Sequence, residues 1–94
     1  LIDLGMVQKV RPALDLSVSF FDHERALVTY VPRTTSLRQT RFEVEHQARG
    51  FDFGAFDAQS IGTIPVVKLV RRLASLDSQI LARVEDSVRD WLAL

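Results

Sequence analysis

The sequence contains no cysteine, which removes disulfides, thiolate nucleophiles and cysteine-based zinc sites together. Two histidines are present, so imidazole chemistry has only His23 and His46 to draw on. His23 lies in a charged turn and His46 ends a strand-like segment between Glu45 and Gln47. Both are expected on the surface, and no metal site is expected. A glycine-rich phosphate loop, a G-x-S-x-G elbow and an H-E-x-x-H helix are all missing, and no cofactor is expected. Charge of one sign is missing too: twelve Lys and Arg balance twelve Asp and Glu, so the total draws the chain neither toward nucleic acid nor away from it. No apolar run approaches the roughly 20 residues of a membrane span, and the N-terminus lacks the charged-then-apolar order of a signal peptide. A cytoplasmic location without membrane contact is the expectation.

What is present suits one small core. With 94 residues, 47% hydrophobic and 26% charged, residues 1–94 are expected to form a single domain near the lower limit of a self-contained core. A chain of this size with neither disulfide nor metal gains by covering its exposed apolar surface, so a homodimer is expected. The chain opens on Leu1 rather than Met, and a few upstream residues are expected to precede it.

Periodicity divides the chain into short strands and one helix. Leu1–Leu4 reads as a strand remnant. Between Val10 and Phe20, residues Leu14, Leu16, Val18 and Phe20 alternate with polar or small positions, the pattern of a strand with one buried face. Ala26–Val31 is β-branched and aromatic, and Pro32 is expected to end it, leaving residues 33–39 as a loop. Arg41–His46 alternates again; Asp57–Ile64 is read as one strand with a bulge at Gly62, and Val66–Leu73 as another. At the end, Leu81, Val84, Val88, Trp91 and Leu92 repeat at helical spacing behind Asp77 as N-cap, with Glu85 and Arg89 placed to pair on the outer face. The fold class is therefore α+β: a bent antiparallel sheet or small barrel with a C-terminal amphipathic helix.

Local charge is more informative than the total. Three arginines and no acid fall between Arg33 and Arg41, and three cations and no acid between Lys68 and Arg72; Glu43 to Asp57 holds four acids against Arg49. Basic and acidic faces, or ordinary solvated charge, fit equally. Phe51, Phe53 and Phe56 have the chemistry to stack unpaired bases, although core filling is expected for at least two of them.

Two further segments carry chemistry: R-P-A-L at Arg11–Leu14 and V-P-R-T-T-S at Val31–Ser36. Each alone fits ordinary strand and turn chemistry. In this order, with L-I-D-L at the start, R-F-E-V, F-D-A-Q-S-I-G-T-I-P, L-V-R-R-L and a final D-S-V-R-D-W-L, the chain resembles the MazF/PemK/Kid family of toxin endoribonucleases over nearly its whole length. The resemblance implies an SH3-like barrel with a C-terminal helix. It also implies a homodimer that cleaves single-stranded mRNA without a metal and is held in check by a cognate antitoxin protein.

By position, the family's catalytic arginine and threonine correspond to Arg11 and Thr34. Lys9, Arg33, Thr35 and Ser36 stand beside them as candidate RNA-binding residues. Where some members carry an arginine and an aspartate two residues apart before the T-[IV]-D turn, this chain has Asp57 and Gln59. Asp57 is then the candidate general base and Gln59 a candidate RNA contact, with the charge order departing from the pattern. Asp15 stands where the family usually has Val or Ile; if that face were buried, an unpaired carboxylate would cost several kcal/mol.

These residue types suit attack by the RNA's own 2′-hydroxyl, which needs a proton acceptor, a leaving-group donor and a cation for the phosphorane. A guanidinium such as that of Arg11 supplies the cation as a bidentate fork. Two other readings share the fold: a gyrase poison like CcdB, acting through the helix and Trp91, and an inactive relative that only binds antitoxin or RNA.

Overall fold

The computed structural model describes residues 2–3, 10–69 and 76–94, with side chains from residue 12 onward within those spans. Strands β1 (Ile2–Asp3) and β2 (Val10–Arg11) form a short antiparallel ladder with Ile2 opposite Arg11. The main sheet has five strands: β3 (Ala13–Asp15), β4 (Leu27–Thr34), β5 (Glu43–His46), β6 (Gly54–Asp57) and β7 (Gly62–Pro65). Its order is β3-β4-β6-β5, with β7 paired to β4 as well, and every pairing is antiparallel. Among the described residues the sheet bends around the core without closing into a barrel. Helix α1 (Ser78–Leu92) packs over β5 and the turn after β6. This is the expected α+β architecture.

Pro32 does not end β4, which runs on to Thr34. Arg33 N–H donates to Pro12 O on the β3 edge at 3.0 Å, so alternation directs position 32 toward the opposite edge. There the partner changes from β7, last paired at Tyr30, to β6, first paired at Arg33. The missing proline donor falls in that gap and leaves no ladder bond unmade.

The strand expected across residues 10–20 stops at Asp15 for a local reason. The Asp15 carboxylate accepts from both the N–H and the hydroxyl of Ser17, each at 2.9 Å, and the Ser17 hydroxyl accepts from Thr29 N–H at 3.1 Å. A side chain that captures nearby backbone competes with ladder pairing. Asp15 is thus exposed and well partnered, which removes the penalty that a buried carboxylate would carry. Asp57–Ile64 is likewise interrupted: Asp57 caps a 3-10 turn over Ala58–Ser60, accepting from Gln59 N–H at 3.1 Å and Ser60 Oγ–H at 2.8 Å. Val66–Lys68 is a 3-10 turn rather than the start of a strand; the rest of that expected strand lies outside the described residues.

The core joins Val31, Phe42, Val44, Phe56 and Ala58 to Val84 and Val88 of the helix, with Leu14, Leu16, Ile61, Leu76 and Ile80 packed around it. Trp91 meets Phe42 edge to face at 5.3 Å, so it packs as the helical stripe suggested while staying half exposed. Arg89 pairs with Asp86 at 3.0 Å instead of with Glu85, which is half-buried on the inner side. The N-cap holds as read: the Asp77 carboxylate accepts from Gln79 N–H at 2.7 Å.

Asp77→Ala is expected to lower stability by about 1 kcal/mol, a Tm drop of roughly 4–8 °C in a thermal melt. Asp15→Val is expected to give no rise in Tm; a rise would mean that the carboxylate is strained where it stands.

Candidate functional site

The register of β3 on β4 determines what meets at the end of the sheet. Ala13 pairs with Pro32, Leu14 with Val31 and Asp15 with Tyr30. The Arg33 N–H bond to Pro12 O continues this register by a step and lays the residues around Pro12 beside Arg33 and Thr34. The two segments singled out in the sequence, R-P and P-R-T, are therefore neighbouring lengths of backbone.

Beside them opens a cleft of about 410 Å³, lined by Pro12, Arg33, Thr34, Thr35, Ser36, Gly50, Phe51 and Asp52. On one side the chain leaves β4 through a turn in which Thr34 Oγ1 accepts from Ser36 N–H at 3.0 Å. A hydroxyl that accepts from backbone keeps its own proton to donate, so the turn orients Thr34 as a hydrogen-bond donor while Thr35 and Ser36 stand exposed on the rim. On the other side, the link from β5 to β6 turns at Ala48–Phe51, closed by Phe51 N–H to Ala48 O at 3.0 Å. Gly50 holds φ 88° in that turn, the left-handed region that glycine enters without steric penalty.

Arg33 is not a surface cation. Its side chain turns inward and is 6% exposed. Nε donates to His46 Nδ1 at 2.9 Å, and Nη2 donates to His46 O at 2.8 Å and to Asp52 O. Burial pushes the guanidinium below its ordinary pKa, and the Asp52 carboxylate partly offsets this. His46 is correspondingly half-buried rather than exposed, its ring 5.0 Å from Phe56 and 6.1 Å from Phe51. Burial first, and the Arg33 charge second, hold its pKa below the usual histidine value. The loop before β5 is tied by Glu43, which accepts from Arg38 N–H at 3.0 Å and Thr40 N–H at 3.1 Å. Desolvation pushes the Glu43 carboxyl up, but these backbone donors and the Arg38 charge outweigh it and hold the group below the usual carboxylate range.

The other expected site residues are distributed unevenly. Asp57 and Gln59 belong to the turn after β6 and do not line the cleft. Lys9 lies outside the described residues, and for Arg11 the backbone alone is described. His23 is exposed and stacked on Phe21 at 6.1 Å. Of the three phenylalanines, Phe56 is in the core, Phe51 is half-buried at the cleft and Phe53 is 46% exposed. The carboxylate on the cleft wall is Asp52, which sequence pattern alone does not mark. Its only signal is its place between Phe51 and Phe53 in a glycine-flanked link.

The architecture and the cleft define a small α+β protein with a hydroxyl- and arginine-bearing site at the end of its central strand. The family model of the PemK-like, MazF-like toxins of type II toxin-antitoxin systems matches residues 2–92, and the chain belongs to that family. Membership implies an antitoxin partner. Among solved structures it is similar to Mycobacterium tuberculosis toxin MazF-mt6, at 25% identity and a TM-score of 0.80, covering 99% of this chain and 96% of that one. It is similar also to a structure described as an Mtb toxin, at 26% identity and a TM-score of 0.72, covering 85% of this chain and 90% of that one. No curated protein matches it in sequence.

A histidine whose folded pKa lies below its unfolded value contributes stability that is fully present above about pH 6.5 and lost as pH falls through the folded value. Unfolding free energy is expected to fall on acidification more steeply in the parent than in His46→Asn, measured by urea melts at stepped pH. Equal slopes would contradict a neutral His46 in the folded state.

Proposed function

We propose that this chain is a toxin endoribonuclease that cleaves single-stranded mRNA in the cleft bounded by Arg11–Pro12, Thr34–Ser36 and Gly50–Asp52. The single observation that carries the reading is the β3–β4 register, continued by the Arg33 N–H bond to Pro12 O, which lays the R-P segment beside the P-R-T segment, joined to membership of a toxin family that the sequence motifs themselves point to.

In this reading the 2′-hydroxyl of the RNA attacks the adjacent phosphorus. The O2′–P bond forms as the 2′-hydroxyl proton passes to a carboxylate, the P–O5′ bond breaks as water protonates the departing O5′, and a 2′,3′-cyclic phosphate and a 5′-hydroxyl result. Arg11 carries the charge that builds on the phosphorane, where a guanidinium outperforms an ammonium by its forked geometry. Thr34, accepting from Ser36 N–H, donates its proton to a phosphate oxygen. Asp52 takes precedence over Asp57 as the acceptor of the 2′-hydroxyl proton, because Asp52 borders the cleft whereas the Asp57 carboxylate is engaged by Gln59 N–H and Ser60 Oγ–H. Thr35 and Ser36 contact the RNA backbone at the rim, with Lys9 adding charge, while Gln59 stands apart from the cleft. The chemistry proposed needs no metal ion.

The assembly proposed is a homodimer acting in the cytoplasm. Val18, Phe21 and Val67 are 88%, 71% and 84% exposed in the single chain, and a second copy would cover such apolar surface. No helix among the described residues is long and apolar enough to cross a membrane.

The test is cleavage of a long single-stranded RNA in excess EDTA. The parent is expected to cut it; Arg11→Ala and Thr34→Ala are each expected to lose about 10²- to 10³-fold in rate. Asp52→Asn is expected to lose activity, and Asp57→Asn to keep it. RNA left intact by the folded parent would remove this reading and favour a binding-only relative. A growth defect abolished by Trp91→Ala alone would favour a gyrase poison.

A further inference from the structure

Residues 47–53 join β5 to β6 with no strand of their own, yet Gly50, Phe51 and Asp52 form a whole wall of the cleft. A wall that fits a nucleotide has to be held at a fixed distance from Thr34. The groups that hold it come largely from one side chain of β4.

The Arg33 guanidinium donates to His46 Nδ1 and His46 O, just before the link, and to Asp52 O near its end. One planar group thus bridges the start and the end of the segment and closes it as a loop, which removes much of its freedom. Between these two anchors Phe51 lies under the guanidinium, with Cζ 5.3 Å from the ring centroid. Gly54 lies against the same group. A Cβ on Gly54 would meet first the Thr34 carbonyl oxygen, at 2.5 Å, and then Arg33 Nη1 at 2.7 Å, so a side chain at that position would press on both the end of β4 and the guanidinium. Arg33 itself is the residue immediately before Thr34.

We propose that Arg33 is the positioning residue of the cleft: it clasps the 47–53 segment through His46 and Asp52 and so sets the distance between the wall and Thr34. This rests on the reading of the cleft as the RNA site. Lysine cannot replace it, because an ammonium is a point donor on a flexible stem and cannot bridge both anchors with a planar fork. His46 must present Nδ1 as an acceptor, which requires the neutral ring.

Two measurements on the folded protein test the proposal: amide hydrogen exchange over residues 48–53, and steady-state cleavage of a single-stranded RNA. Arg33→Lys and His46→Phe are expected to speed exchange in 48–53 about tenfold while Ser78–Leu92 keeps its parental protection, and to lower kcat/KM about tenfold, because the loosened segment holds both the wall and Asp52. His46→Phe keeps the aromatic bulk and carries the test if Arg33→Lys fails to fold. His46→Asn, whose Oδ1 stands where Nδ1 accepts, is expected to restore both readouts. Parental exchange and kcat/KM in Arg33→Lys and His46→Phe would overturn the clasp, and so would loosening of helix and segment together that His46→Asn does not repair. If the parent leaves RNA intact, the functional reading fails while the exchange measurement still decides the clasp.

Discussion

The structure depends on one strand having partners along both edges. β3, β6 and β7 all pair with β4, so the core, the bend of the sheet and the cleft are referred to the same eight residues. Alternation along that strand divides the work. Val31 enters the core beside Phe56 and Val44, and Arg33, on the same face, reaches across to the link between β5 and β6. Thr34 ends the strand at the cleft. A one-residue slip would exchange these faces. What resists it is the burial of Val31 at 0% exposure, together with a proline that fits only where the partner changes from β7 to β6.

The link between that strand and function is its immediate sequence, Pro32-Arg33-Thr34. Pro32 sits at the change of partner, Arg33 anchors a segment distant in the chain, and Thr34 presents a hydroxyl oriented by its own turn. The family fold supplies the frame, but the width of this cleft is a property of contacts among Arg33, His46, Asp52 and Gly54.

The sequence makes the architecture legible and leaves several details hidden. Period-2 alternation around Leu14, the β-branched run before Val31 and the capped stripe of Val84 and Val88 are local signals, and each corresponds to an element of the fold. The departures come from side chains that bind backbone. Asp15 captures Ser17 and ends its strand; Asp57 captures Gln59 and Ser60 and makes a turn where alternation suggested continuity. Such captures compete with ladder bonds of similar strength, and hydropathy does not register them. Arg33 is named by the sequence as a candidate RNA contact, and its inward turn is hidden for a different reason. In a run of three arginines without an acid it reads as a surface cation facing RNA, and the atoms its guanidinium donates to, a neutral ring nitrogen and two backbone carbonyls, are invisible to a charge pattern. Asp52 was hidden because a link with neither strand nor helix periodicity gives no direction to its side chains.

If Arg11 and Thr34 act on one phosphate, as proposed, a double-mutant cycle on kcat/KM for single-stranded RNA will show strong non-additivity: once either residue is replaced by alanine, replacing the other adds little further loss, as for groups that work as a unit. Fully additive losses in the double variant would contradict the proposal, because two residues acting on separate parts of the RNA would each retain their full effect.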